Sequence, residues 1–358
     1  MRAVFRADAS LAIGTGHVMR CLTLAGALRE QGVDCAFVCR DHPGHLRDAV
    51  ERLGFPVAML PPGEGAAGPS PYARWLGASQ AQDARDTLQA MAGPQPEWVV
   101  VDHYALDAQW ESQVRAGCGR LLAIDDLANR RHDCDLLLDQ NLGRSAQAYA
   151  ELCPTDCKVL AGPAYALLRP EFAALRRHSL DRRRAAPLRH LLVTMGGGDA
   201  LGMSAKTLEA LRDADLPVGF RITVAMGAQA RGLEAVRALA DRMPCATEVV
   251  VNVSDIAALM ADSDVAIGAV GGTAWERCCL GLPTLAVVLA DNQRPGAEAL
   301  ANSGAALVLP AGEGFADALR GALRHLLDDP DALRAMQVAA AAVTDGEGTA
   351  RVTKEMVE

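Results

Sequence analysis

The chain has 358 residues, half of them apolar, which is enough to build two buried cores and suggests two domains. Its formal charge of −9 provides no basic field for nucleic acid or for an acidic membrane surface, so neither partner is expected. The ten cysteines form no CxxC pair, and the sequence shows no signal-peptide core and no apolar run of membrane-spanning length. These features predict a cytoplasmic protein in a reducing compartment.

In the first half, short apolar runs alternate with amphipathic stretches, the pattern of β-α units in a parallel sheet. The predicted helices cover 21–29, 46–53, 81–92 and 108–116. The predicted strands cover 3–5, 36–39, 57–60, 98–101, 121–124, 136–138 and 159–160.

A charge-rich helical stretch ending in Arg182, Arg183 and Arg184 is interpreted as a solvated hinge, which predicts domains at 1–178 and 187–358. In the second half, helices are predicted to begin near Ala200 and at 232, 255, 273 and 294, followed by two more helices and a short terminal one. We therefore predict an α/β fold of two Rossmann-like, doubly wound domains facing each other across a cleft. The strands of the second domain are predicted at 191–195, 220–225, 248–251, 265–267, 284–288 and 306–309.

The first strand runs into a turn with Gly14 and Gly16, and a helix then begins at His17. In parallel sheets such a turn lies where ligands bind, and its glycines let an anionic group approach the free N–H groups of the helix start. The positive end of the helix dipole disfavours an imidazolium, so we expect a neutral His17 that accepts a proton near pH 7. A lone histidine at a helix start is more often structural, so this turn alone leaves both roles open.

Charged residues near this turn are candidates for contacting the substrate or for positioning His17. Arg6 and Asp8, at the end of the first strand, are predicted to contact the substrate. Arg20, one helical turn after His17, is expected either to contact a phosphate or to pair with Asp8, and the ion pair is favoured.

Two glycine turns of the second half resemble the first. Gly196 and Gly197 follow the strand at 191–195, while Gly271 and Gly272 precede a helix beginning at Thr273 and suit a diphosphate. Glu276 lies one turn into that helix, where a carboxylate is able to accept the ribose hydroxyls. A capping-box glutamate that reaches back to the helix start is an equally good interpretation.

Polar side chains also follow several predicted strands. Tyr104 comes after the strand at 98–101, and Asn292 comes after the strand at 284–288. Asp125, Asp126 and Asp139 offer oxygen ligands for Mg²⁺ around a diphosphate. Since helix N-termini carry phosphate charge without an ion, we expect no metal and no cofactor.

Taken together, these motifs resemble the UDP-2,4-diacetamido-2,4,6-trideoxy-β-L-altropyranose hydrolase family of pseudaminic acid biosynthesis. The resemblance extends from residue 1 past residue 300 and implies the GT-B fold of the MurG type. It also implies inverting hydrolysis of a UDP-sugar at the anomeric carbon, releasing UDP and the free sugar without a required metal. The motifs are RADASLAIGTGHVMRCLTLA, VVDHYALD, IDDLANRRHDCDLLLDQN, GPAYALLRPEF, VTMGGGD and GGTAWERCCLGLPT.

The resemblance also implies roles for individual residues. His17 matches the family's histidine that activates the attacking water, and Tyr104 and Asn292 match positions near the sugar and the diphosphate. Glu276, with Gly271 and Gly272, matches the nucleotide-binding helix, whereas the turn at 196–199 departs from the family's pattern and leaves its contacts open. The alternatives are a GT-B glycosyltransferase with a UDP-sugar donor and a non-catalytic nucleotide-sugar-binding protein; the oligomeric state stays open, a monomer included.

Overall fold

The computed structural model describes residues 1–63, 70–184, 187–196, 198–199, 201–228 and 230–358. The chain forms two compact units, one of residues Met1–Leu167 with Gly348–Glu358 and the other of Leu168–Glu347. Each unit contains one all-parallel sheet, of seven strands in the first and six in the second. The predicted pair of Rossmann-like domains is confirmed, while the cleft between them stays a prediction.

The strands of the first unit are apolar almost throughout because a parallel sheet is covered on both faces. Its elements are β1 (Arg2–Ala7), α1 (Gly16–Glu30), β2 (Asp34–Arg40), α2 (Arg47–Arg52), β3 (Val57–Leu60), α3 (Ala73–Leu76), α4 (Gln80–Ala90), β4 (Trp98–Asp102), α5 (Ala108–Val114), β5 (Arg120–Ile124), β6 (Leu136–Asp139) and β7 (Lys158–Ala161).

The second unit repeats the arrangement after a leading helix. Its elements are α6 (Pro170–Arg183), β8 (His190–Thr194), α7 (Met203–Arg212), β9 (Arg221–Met226), α8 (Leu233–Ala240), β10 (Ala246–Val251), α9 (Ile256–Asp262), β11 (Val265–Ala269), α10 (Gly272–Cys279), β12 (Thr284–Val287), α11 (Arg294–Asn302), β13 (Ala306–Leu309), α12 (Phe315–Asp328) and α13 (Pro330–Val343). The last helix, α14 (Gly348–Val357), returns to the first unit, where the Trp98 indole N–H donates to the Met356 carbonyl at 2.9 Å.

The strand orders fix where ligands bind. The first sheet runs β3-β2-β1-β4-β5-β6-β7 and the second β10-β9-β8-β11-β12-β13, so the winding direction reverses beside β1 and beside β8. Loops leave in opposite directions at such a reversal and open a crevice at the carboxyl ends of the strands. Ala7 of β1 pairs with Asp102 of β4, and Thr194 of β8 pairs with Gly268 of β11. The residues that follow these pairs line the two crevices.

The division between the units differs from the predicted boundary at 178–187. Helix α6 belongs wholly to the second unit, because the side chain of Arg183 is buried there and donates to the carbonyls of Leu280, Ser263 and Met260. Burial lowers the pKa of this guanidinium to about 9. Interpreting Arg182, Arg183 and Arg184 as a solvated hinge was therefore wrong for Arg183. No helix among the described residues has the length and apolar character needed to cross a bilayer.

Candidate functional site

The first crevice contains a histidine-aspartate pair. His17 lies in the first turn of α1, and Asp102 is the last residue of β4. The Nδ1 atom of His17 lies 2.6 Å from Oδ1 of Asp102, and both side chains are buried. The predicted histidine thus stands at the reversal of the first sheet, joined to a carboxylate from the neighbouring strand.

Arg20 contacts both oxygens of this carboxylate. Its Nε donates to Oδ2 of Asp102 at 2.6 Å, and one terminal nitrogen donates to Oδ1 at 2.7 Å. The other terminal nitrogen donates to Asp126 at 2.7 Å. The favoured pairing of Arg20 with Asp8 is therefore wrong, because both ends of the guanidinium are occupied by carboxylates that follow or end β4 and β5.

The charge of this cluster determines the tautomer of His17. Burial alone would raise the pKa of Asp102, but Arg20 and His17 hold it well below its ordinary value, so the carboxyl is ionised. An ionised carboxylate only accepts hydrogen bonds, so the Nδ1 atom of His17 carries the proton of this contact. In the neutral ring, Nε2 is then the free acceptor. This is the arrangement that a general base requires.

An aromatic cluster covers the imidazole. The ring of Tyr104 meets His17 edge-on with centroids 4.6 Å apart, and Tyr72 and Trp75 pack on Tyr104 at 5.0 and 5.8 Å. The Tyr104 hydroxyl donates to Asp126 at 2.9 Å. Burial, followed by the charge of Asp126, raises the pKa of this phenol well above its ordinary value. Tyr104 therefore lies beside the candidate base with its proton committed to Asp126, while its predicted place near the sugar and the diphosphate stays a prediction.

The glycine turn before His17 leaves room for a ligand. Gly14 has φ of +82°, which favours glycine, and a Cβ built on Gly14 or Gly16 would meet no atom within 4 Å. Both residues are exposed, and no side-chain hydrogen bond from Thr15 caps the start of α1. The backbone N–H groups of a 15-residue helix therefore face an open space next to His17.

Arg6 and Asp8 occupy a different place from the predicted one. Both side chains are fully buried, and Arg6 bonds Asp8 at 2.6 Å and Asp83 at 2.7 Å. Oδ1 of Asp8 also accepts the backbone N–H of Arg40 at 2.7 Å. Burial acts to raise the pKa of Asp8, but Arg6, His42 and His103 hold it far below its usual range. A substrate does not reach these buried groups, so predicting them as substrate contacts was wrong; they connect the ends of β1 and β2 to α4 instead.

The second unit has an open helix start at its own crevice. Gly271 and Gly272 are exposed, a Cβ on either would meet no atom within 4 Å, and no side chain caps α10. Arg277 lies buried beneath this turn, where it donates to the carbonyl of Ala269 at 2.7 Å and to Thr273 at 3.4 Å. Burial lowers the pKa of Arg277 to about 10. The turn thus combines free N–H groups with a positive charge below them.

Glu276 faces Arg169 rather than the helix start. Its Oε1 lies 3.8 Å from the Arg169 guanidinium, which also pairs with Glu171 at 2.9 Å. Burial raises the pKa of Glu276, and Arg169 opposes this shift. Among the hydrogen bonds of the described residues, none runs from the start of α10 to the Glu276 side chain. The ion pair with Arg169 thus takes the place of the capping-box interaction, and ribose binding by Glu276 stays a prediction.

The glycine turn at 196–199 differs from the other two. Gly196 has φ of +83° and is exposed, while Gly197 lies outside the described residues. Asp199 accepts the N–H groups of Met203 and Ser204 at 2.8 and 2.9 Å, so a protein carboxylate already occupies the start of α7. For the same reason this helix begins at Met203 instead of near Ala200. Phosphate binding by this helix start is therefore not supported.

Asn292 and three carboxylates for which no metal was expected, Asp125, Asp126 and Asp139, are the remaining sequence candidates. Asn292 is exposed in a short 3₁₀ turn, Asp291–Gln293, between β12 and α11. Asp125 pairs with Arg130 at 2.5 Å, and Asp139 and Asp125 both contact the Tyr149 hydroxyl. These carboxylates are therefore engaged within the protein.

Several residues of the site were not predicted in their roles. Asp126 and Arg20 complete the His17 cluster, Trp75 packs on Tyr104, and Arg277 and Arg169 support the second crevice. The sequence offered one usable signal, since the apolar spacing of α10 places Arg277 on its buried face. A buried arginine at such a position needs partners, and a glycine turn supplies carbonyl oxygens.

The fold and the two crevices define a two-domain Rossmann-like protein of the GT-B type. The chain matches MurG from Acinetobacter baumannii with a TM-score of 0.71 and 19% identity over 99% of both chains, a likeness of fold. No protein-family model matches the chain.

Relatives in sequence are more informative about the motifs. The chain is 25% identical to the UDP-2,4-diacetamido-2,4,6-trideoxy-beta-L-altropyranose hydrolase of Campylobacter jejuni, over 85% of this chain and 97% of that protein. It is also 25% identical to an uncharacterized protein of Methanocaldococcus jannaschii over 82% of this chain, and it spans 56% of that protein's length. The resemblance predicted from the motifs is confirmed.

Proposed function

We propose that this chain hydrolyses a UDP-sugar, of the 2,4-diacetamido-2,4,6-trideoxy-β-L-altropyranose type, at its anomeric carbon. The observation that carries the proposal is the His17–Asp102 pair beside an open glycine turn at the reversal of the first sheet. The similarity to the Campylobacter jejuni hydrolase supports this choice of substrate and reaction.

In the proposed reaction, Nε2 of His17 accepts a proton from water while the water oxygen bonds to the anomeric carbon. The bond between that carbon and the β-phosphate oxygen breaks, and its electron pair leaves with UDP. Attack opposite the leaving group inverts the configuration. Asp102 stabilises the imidazolium that forms, and Arg20 keeps the carboxylate in place. General-base assistance of this kind contributes about 10²–10⁴-fold to the rate.

The UDP group is assigned to the start of α10. Phosphate oxygens accept the free N–H groups after Gly271, and the buried Arg277 adds positive charge below them. This accounts for binding of a dianionic leaving group by a chain whose net charge is −9. Asn292 is proposed to contact the sugar or the diphosphate, and Glu276 the ribose.

The similarity in fold to MurG favours a second candidate, a glycosyltransferase that passes the sugar to an acceptor hydroxyl instead of water. The two reactions differ in their products when no acceptor is present. A hydrolase releases UDP and reducing sugar in equal amounts from the UDP-sugar alone, whereas a transferase releases little of either.

The test uses purified protein and a panel of UDP-linked diacetamido sugars without acceptor, following UDP and reducing sugar together. We expect equal release of both by wild type and a loss of at least about 10²-fold in His17→Asn. UDP binding by calorimetry is expected to survive in that variant. His178→Asn, which changes an exposed histidine on α6, is the matched control and should retain full turnover. Turnover of His17→Asn within about tenfold of wild type would remove His17 from the role of base.

A further inference from the structure

Three thiols come together in the first unit, away from the His17 cluster. The sulfur atoms of Cys134, Cys153 and Cys157 all lie within 4.8 Å of one another, and those of Cys134 and Cys157 are 3.6 Å apart. Cys134 is buried, while Cys153 and Cys157 are partly exposed. We call these three residues the thiol cluster. It lies at the amino ends of β6 and β7, the opposite edge of the sheet from His17.

The backbone holds the thiol cluster in place. Cys134 lies two residues before β6 and Cys157 one residue before β7, and these strands are adjacent because Leu136 pairs with Lys158. The N–H of Lys158 donates to the Asp135 carbonyl at 2.9 Å. The N–H of Cys153 donates to the Tyr149 carbonyl at 3.0 Å, which folds the third thiol toward the other two. The sulfur positions are therefore set by strand pairing and a tight turn.

The spacing of the sulfurs fits a shared metal better than a disulfide. Thiolates bound to Zn²⁺ at about 2.3 Å in a tetrahedron are about 3.8 Å apart, close to the separation of Cys134 and Cys157. A disulfide requires about 2.05 Å between two sulfurs and would leave the third thiol without a function. Three converging sulfurs are the donor set that a thiophilic cation selects.

The charged side chains beside the thiol cluster favour a bound cation, because two carboxylates are present for one guanidinium. Asp133 and Asp135 flank Cys134, and Arg115 pairs with both at 3.3 and 3.2 Å. These two carboxylates therefore make the electrostatic potential at the thiol cluster more negative. Their oxygens contact Arg115 and are not counted as metal ligands.

We propose that the thiol cluster binds one Zn²⁺ ion through Cys134, Cys153 and Cys157. Among the described residues, no fourth histidine, cysteine or carboxylate atom joins the set. His132, two residues before Cys134, directs its Nδ1 to Glu111 at 2.7 Å instead. The fourth position of the metal is therefore open to water, as in other zinc sites with three protein ligands. The bound ion ties the turn that contains Cys153 to the ends of β6 and β7, so it stabilises the first unit.

The experiment uses the full chain, reduced with a phosphine and stripped of metal. Co²⁺ serves as the spectroscopic probe, since thiolate ligation gives intense charge-transfer absorption, and Zn²⁺ affinity is measured against a chromophoric chelator. Cys153→Ala and Cys157→Ala each remove one partly exposed ligand. Cys245→Ala is the matched control, because it removes a partly exposed thiol of the second unit.

We expect wild type and Cys245→Ala to bind one Zn²⁺ and to melt at a higher temperature with it. Because changes outside the ligand shell already weaken metal sites about 10–100-fold, loss of a direct ligand should weaken binding at least as much in Cys153→Ala and Cys157→Ala. Two outcomes would overturn the proposal. One is equal Zn²⁺ affinity in all four proteins. The other is a reduced wild type that binds no Zn²⁺ or Co²⁺ and forms a disulfide within the thiol cluster in air.

Discussion

Nδ1 of His17 and Oδ1 of Asp102 are 2.6 Å apart, although the two residues are 85 positions apart in the sequence. Strand pairing creates this contact, because β4 lies beside β1 and ends where the glycine turn begins. Arg20 then satisfies both oxygens of the carboxylate, so the imidazole meets an acceptor whose orientation is fixed. The geometry of the proposed base depends on this carboxylate.

Asp102→Asn should slow UDP release by about 10²–10⁴-fold without weakening UDP binding. The side chain of asparagine has one acceptor oxygen, whereas His17 and Arg20 now contact two carboxylate oxygens. The amide NH₂ group must therefore face either the imidazole of His17 or the guanidinium of Arg20. A donor at Nδ1 selects the tautomer with hydrogen on Nε2, which is unable to accept a proton from water. Steady-state turnover and calorimetric UDP binding measure the two effects separately.

Asp41→Asn is the control for this change, because it removes an exposed carboxylate of the same unit. Its turnover should equal that of wild type. If Asp102→Asn turned over equally fast in folded protein, the tautomer argument would fail, and the pair would have to be regarded as structural.

Two glycines near β11 should respond in opposite ways to alanine. A Cβ on Gly271 meets nothing within 4 Å, so Gly271→Ala should unfold at the wild-type temperature yet bind UDP more weakly, since the methyl occupies the space for phosphate. A Cβ on Gly268 would lie 2.5 Å from the Thr194 carbonyl oxygen and 2.8 Å from Arg277. Gly268→Ala should therefore lose roughly 1–3 kcal/mol of stability.

Thermal unfolding and UDP titration of both variants test this contrast. Gly271→Ala with unchanged UDP affinity would contradict the assignment of the start of α10 to the diphosphate. Gly268→Ala crowds Thr194 and Arg277, so only its unfolding temperature serves as the structural reference.

Glu276→Gln should weaken UDP binding about 10–100-fold while the turnover of bound substrate changes little, because a charged hydrogen bond to ribose contributes about 1.5–3 kcal/mol. Glu171→Gln is the matched control, since Glu171 also pairs with Arg169 but lies at the first turn of α6. Equal loss of affinity in both variants would mean that the ion pairs with Arg169 matter, and that Glu276 does not contact the nucleotide.

The strands and the position of His17 were predictable because their signals are local. Parallel strands covered on both faces appear as continuous apolar runs, and a glycine turn between a strand and an amphipathic helix marks a crevice. These patterns gave every strand in the two sheets and the candidate base. They also indicated Tyr104, which lies two residues after the end of β4.

The partners of the charged residues were not predictable in this way. Arg20 bonds Asp126 across 106 positions, and Arg6 bonds Asp83 across 77. Charged residues are usually exposed, so the sequence favours a substrate role for Arg6 and Asp8 over burial in an ion network. Which charged residues pair depends on which strands are neighbours in the sheet, and the local spacing of residues in the sequence does not indicate this. The thiol cluster escaped prediction for the same reason, since Cys134 lies before β6 while Cys153 and Cys157 lie in the connection that leads to β7.

Asp139 gives the chain a testable pH dependence. Burial, followed by the charge of Asp126, raises the pKa of this carboxyl from 3.8 to about 7, although the N–H of Asn141 and the Tyr149 hydroxyl oppose the shift. The Tyr149 oxygen lies 2.8 Å from Asp139 and 3.0 Å from Asp125. The Tyr149 hydroxyl has a single proton, so it donates a hydrogen bond to one of these two carboxylates. A protonated Asp139 donates to Tyr149, which then donates to the ionised Asp125.

A folded-state pKa above the unfolded value means that the native state binds more protons between about pH 4 and pH 7. Stability contributed by this group therefore falls as pH rises through that window. Asp139→Asn imitates the protonated acid and has no such dependence. Relative to this variant, wild type should lose roughly 2–4 kcal/mol of unfolding free energy between about pH 5 and about pH 8.

Urea unfolding of wild type and Asp139→Asn across this pH range measures the difference between their free energies of unfolding. Contributions from other titrating groups, such as His103 and His132, are common to both proteins and cancel in this difference. Asp156→Asn removes an exposed carboxylate near the same sheet and should follow the wild-type curve at every pH. If the difference between wild type and Asp139→Asn stayed constant with pH, Asp139 would be ionised throughout. In that case the positive charge of Arg144, whose Nε lies 3.4 Å from the Asp139 carboxylate, would keep that carboxylate ionised although burial raises the pKa of Asp139.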